Sequence, residues 1–134
     1  MAIKRMTKAD HPRSMGSFKP VGHVVVAMPD DERAARAVQD LRAAGFAAED
    51  VLEYTAAEEG DEMDRMLSHT SDFAGFGYEV ALMRKYQALA RAGASWLIVF
   101  APEARQHQRV ANIVRAHGAL MAEKYHRLVI EDLI

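Results

Sequence analysis

Apolar positions along this chain fall into two alternating rhythms, and the rhythms divide it into elements. Gly22–Met28 (GHVVVAM) is a short β-branched run closed by Pro29, the pattern of a buried strand. A helix follows. Asp30 or Asp31 can cap it, Ala34, Val38 and Leu41 line one face, and Arg33, Arg36, Asp40 and Arg42 fall on the other. Gly45 is its stop. Val51–Thr55 (VLEYT) is a second, shorter strand. Thr55 and Glu58 have the spacing of a capping box, with Asp61 as a rival helix start, and Met63, Met66 and Leu67 give the helix an apolar stripe. His69–Gly77 (HTSDFAGFG) breaks it. A third helix runs from Tyr78 to Ala92, with Tyr86, Leu89 and Ala90 on its apolar side and Gly93 after it. Ser95–Ala101 (SWLIVFA) is the strongest strand. Pro102 and Glu103 open a fourth helix with Val110, Ile113 and Val114 inward and Gly118 as its stop. From Ala119 to about Ile130 the chain reads as extended, with a bend near Tyr125.

Part of this order is stated twice. Val25–Gly45 and Ile98–Gly118 align without a gap at an offset of 73 residues, Pro29 on Pro102, Arg36 on Arg109 and Gly45 on Gly118. Two βα units related by pseudo-twofold symmetry, plus two further strands, predict an α+β, ferredoxin-like two-layer sandwich with a helical insertion, residues 56–92, between strands 2 and 3. The same order also permits a small doubly wound α/β sheet, and strand polarity separates the two. The domain organisation expected is a basic N-terminal arm, residues 1–20, followed by a single domain, 21–134.

Side chains alternate along a strand, so equivalent positions of the two units share a face. His23, Val25, Ala27, Trp96, Ile98 and Phe100 collect on one side; Val24, Val26, Met28, Leu97, Val99 and Ala101 collect on the other. The aliphatic side is the floor for the first and fourth helices. The aromatic side needs its own cover, because a bare surface of that kind marks an interaction site. The insertion could fold over it with Phe73, Phe76 and Met66 as lids, a second copy could press on it, or a ligand could lie there. Val25, Trp96, Ile98, Phe100, Phe73, Phe76 and Tyr78 are the candidate interface or ligand residues.

Composition adds bounds. The chain has 134 residues, half of them apolar, and no cysteine, which rules out disulfides, thiolate metal sites and cysteine nucleophiles. No secretory-signal pattern or membrane-length apolar run is present, so a cytoplasmic location and no membrane partner are expected. The net charge of −2 conceals a basic arm (Lys4, Arg5, Lys8, Arg13 and Lys19 against Asp10) on an acidic body. Trp96 and Phe100 have the alternation of a base-stacking platform, but the acidic body and missing aromatic partners argue against nucleic acid. The six histidines show no local ligand spacing. If the last strand lies antiparallel to the first, His23 and His126, with Glu123 near them, could hold a metal. Gly75 and Gly77 lack the neighbours of a phosphate loop, and no nucleophile elbow is present, so no catalytic residues and no cofactor are assigned.

HVVVAMPDDERAARAVQDLRAAGF and YEVALMRKYQALARAGASWLIVFAPEARQHQRVANIVRAHGA resemble the small bacterial general-stress (heat-induced stress) protein domain over Gly22–Ala119. The resemblance implies a small cytosolic α/β domain without established catalysis and supplies no catalytic residues. The expected function is a non-enzymatic, self-associating domain, stress-related or regulatory, forming a homodimer. A small-molecule sensor using the aromatic face and a metal-dependent protein using His23 and His126 are the alternatives.

Overall fold

A computed structural model describes residues 21–58, 78–126 and 130–134, with the side chains of 78–83 outside that description. The elements are β1 (His23–Met28), α1 (Asp31–Ala43), a 3-10 turn (Ala48–Asp50), β2 (Val51–Tyr54), α2 (Tyr78–Arg91), β3 (Ser95–Phe100), α3 (Ala104–Ala116), β4 (Met121–Tyr125) and β5 (Ile130–Asp132). The strands form one sheet in the order β2-β3-β1-β4-β5, and every pairing is antiparallel. The architecture is therefore α+β, and the doubly wound parallel alternative is excluded. β1 lies between β3 and β4 with all six residues buried, as the continuous apolar run Val24–Met28 requires. The extended C-terminal segment, expected as one bent strand, is two, β4 and β5. Leu133 N–H also donates to the Ala122 carbonyl at 2.9 Å, tying the chain end back to β4.

Local chemistry sets the helix ends. Asp30 is the N-cap of α1, and its Oδ1 accepts from Arg33 N–H at 2.7 Å. Asp31 Oδ1 accepts from Ala56 N–H at 3.1 Å and from the Ser95 hydroxyl, joining the start of α1 to the start of β3. The capping-box spacing at Thr55 is realised: Thr55 Oγ1 accepts from Glu58 N–H at 3.2 Å, and Glu58 Oε1 accepts from Thr55 N–H at 3.1 Å. The remainder of that expected helix, with Asp61, Met63, Met66 and Leu67, lies outside the described residues. At the end of α1, Phe46 N–H bonds the Leu41 carbonyl at 3.1 Å and Gly45 N–H bonds that of Arg42 at 3.0 Å. This is a Schellman closure, which turns on the positive φ of Gly45, +106°. α3 closes identically at Gly118, φ +83°. The two helices also touch through side chains: Arg109 Nη1 donates to the Ala44 carbonyl at 2.9 Å, and His117 Nε2 lies 2.6 Å from Asp40 Oδ2.

Two cores result, one on each face of the sheet. Val24, Val26, Met28, Leu97 and Val99 pack against Ala34, Val38 and Leu41 of α1 and Val110 and Val114 of α3. Val25, Ala27, Trp96 and Ile98 pack against Tyr86 and Ala90 of α2, with Leu89 at the margin. Where a two-layer sandwich was expected, α2 adds a third layer. The physical reason is the aromatic face: burying one large ring is worth about 2–3 kcal/mol, and α2 supplies the burial from within the chain.

Candidate functional site

The register lays the aromatic face out as a grid. Tyr54, Trp96, Ala27 and Met121 form one row across β2, β3, β1 and β4. Leu52, Ile98, Val25, Glu123 and Asp132 form the next, extended onto β5. His23 and Phe100 pair in the row after that, their ring centroids 5.0 Å apart. Tyr86 of α2 stands over this grid. Its ring lies 5.2 Å from that of Trp96, and its hydroxyl is 2.7 Å from the hydroxyl of Tyr125.

Within this apolar layer sit polar groups that are not fully satisfied. Glu123 is 1% exposed. Its Oε1 lies 3.6 Å from Lys85 Nζ on α2, while Oε2 has no hydrogen-bond partner among the described residues. Burial, and then a side-chain hydrogen bond with the neighbouring Asp132 carboxyl and its charge, push its pKa up to about 7, against the pull of Lys85. The carboxyl is therefore poised between acid and carboxylate near neutrality, able to donate or accept. Trp96 is 2% exposed, and its Nε1 also has no partner among the described residues.

Of the residues expected to form an interface or ligand site, Val25, Trp96 and Ile98 are buried together under α2, and Phe100 is half-buried beside His23. Phe73 and Phe76 lie outside the described residues. Tyr78 begins α2, and its side chain is not among those described. Lys85, Tyr86, Tyr125 and Asp132, which complete the layer, escaped sequence reasoning as site residues. The sequence offers Glu123 only as a metal ligand. The available signal was a charged pair, Glu123-Lys124, inside an otherwise apolar strand. It reads as a solvated edge until β5 is known to cover β4.

The expected metal trio is split between faces. β1 and β4 are antiparallel as anticipated, but Val24 opposes Lys124, which places His23 opposite Tyr125 rather than His126. His23 and Glu123 share the α2 face. His126 lies on the side of α3, where its ring centroid is 5.8 Å from that of His107 and its Nε2 is 2.9 Å from Glu131 Oε1. Lys124, 2% exposed, points the same way and donates to the Ala101 carbonyl at 3.0 Å. Burial lowers its pKa to about 8, partly opposed by Glu131. His107 is lowered by burial and then by Lys124, which keeps its imidazole neutral at pH 7.

No helix among the described residues is long and apolar enough to cross a membrane. Fold and site thus define an α+β domain with a covered aromatic face that holds buried polar groups. Comparison with protein-family models, with curated proteins and with solved structures found no match.

Proposed function

We propose that the chain is a non-enzymatic sensor domain of ferredoxin-like type that binds a small molecule between α2 and the aromatic sheet face. The strand order β2-β3-β1-β4, with α1 and α3 crossing on one side, supports the ferredoxin-like part; β5 is then an added edge and α2 part of an insertion. The observation that carries the binding reading is the pair of buried atoms without a hydrogen-bond partner among the described residues, Glu123 Oε2 and Trp96 Nε1. Leaving such a group unsatisfied costs about 1–3 kcal/mol, so a fold that keeps two on one face gains from a ligand that pairs them. Trp96 Nε1–H can only donate, whereas Glu123 can accept or donate. The complementary ligand is a small flat molecule with an acceptor for the indole and an amine or amide for the carboxyl. Self-association through this face loses its motive, because α2 already buries Trp96 and Ile98.

Trp96 is the sole tryptophan, so its emission reports on the site. A panel of small aromatic amines and amides, screened by emission and melting temperature, is expected to contain members that shift both. The shift in melting temperature should vanish in Glu123→Gln. A panel without effect on the wild type, or a response unchanged in that variant, refutes the reading.

A further inference from the structure

We propose that His107, His126 and Glu131 form a binding site for one divalent transition-metal ion of the zinc class, at the opposite face from the sensor site and independent of it. One ligand atom from each residue lies within 4.8 Å of the other two. Around a tetrahedral ion with bonds of about 2.0–2.1 Å, ligand atoms stand about 3.3 Å apart, so small side-chain rotations close the set. Two imidazoles and a carboxylate are the donors that zinc, cobalt and nickel prefer.

The independent observation is His107. It sits in the first turns of α3 and is 7% exposed, and its Nε2 has no hydrogen-bond partner among the described residues. The Pro102 backbone carbonyl interacts with the same ring. A histidine that a neighbouring backbone carbonyl orients and whose Nε2 is left without a partner is arranged as metal-ligating histidines are. The other two ligands supply access. Side chains of His126 and Glu131 are 38% and 54% exposed, so an ion can enter and water can complete its coordination. The opposing charge is Lys124, whose Cα faces that of Glu131 across the β4–β5 ladder. Its ammonium is held by the Ala101 carbonyl, and the Glu131 carboxylate offsets it. Sequence spacing could not reveal this trio: its members lie on α3, at the end of β4 and on β5, and only the C-terminal hairpin brings them together.

The test is calorimetric titration of Zn2+ into the full chain without an affinity tag, with Co2+ absorption as a second readout. One equivalent of Zn2+ is expected to bind and to raise the melting temperature. His126→Ala and Glu131→Gln, both at accessible positions, should each weaken binding at least about tenfold. His117→Ala, whose imidazole instead meets Asp40, should leave it unchanged. Absence of saturable binding by the folded wild type, or equal affinity in all three variants, overturns the proposal. Because Glu123 and Trp96 take no part, failure here leaves the sensor reading standing, and the converse also holds.

Discussion

Replacing Glu123 by Gln should make the protein more stable at alkaline pH, although it deletes a partner of Lys85. The folded state raises the pKa of this carboxyl from 4.5 to about 7, chiefly by burying it. Between those values the folded chain holds a proton that the unfolded chain has released. Stability from this group is therefore fully present below about pH 4.5, falls as pH rises, and reaches its floor above about 7. A tenfold change in proton affinity is worth about 1.4 kcal/mol, which makes the full loss on the order of 3 kcal/mol. The pull of the half-exposed Lys85 is already contained in that value. Glutamine keeps the shape and never ionises. Urea unfolding followed by circular dichroism at pH 5, 6, 7 and 8 should show the variant gaining on the wild type as pH rises, by about 2–3 kcal/mol at the top of the range. His107 and Lys124, whose depressed pKa values give the opposite slope, are common to both proteins and cancel in the difference. A difference that stays constant from pH 5 to pH 8 would refute the reasoning, because it would mean that Glu123 is solvated in the folded state.

Two stability predictions follow from the helix end and the hydroxyl pair. Gly45→Ala meets no atom within 4 Å but must adopt φ +106°, so a loss of about 1–2 kcal/mol is expected in denaturant unfolding, from backbone conformation alone. An unchanged midpoint would show that the turn can relax. Tyr86→Phe deletes the 2.7 Å contact with the Tyr125 hydroxyl and should cost about 1 kcal/mol, with a change in Trp96 emission because the rings lie 5.2 Å apart; neither effect would place Tyr86 away from the sheet.

Much of the candidate site's environment was legible and its chemistry was not. Strand parity alone assigned Val25, Trp96 and Ile98 to one face and required a cover for them. The helical spacing of Tyr86, Leu89 and Ala90 gave α2 an apolar side but did not assign it to that cover, for which Phe73, Phe76 and Met66 were the expected lids; the structure packs Tyr86, Leu89 and Ala90 against the aromatic core. The polar members were hidden because burial of a charge depends on what lies across the sheet. Glu123 and Lys124 are adjacent in sequence, yet one faces α2 and the other α3.

Sequence by itself determined the local elements, their caps and stops, and the two-faced character of the sheet, since backbone sterics, capping and side-chain alternation act over a few residues. Tertiary structure alone decided strand polarity, the split of the final segment into β4 and β5, and the register of β4 on β1. Those are set by contacts between distant segments. A register differing by a single residue moves His126 from one face to the other, away from His23 and toward His107 and Glu131.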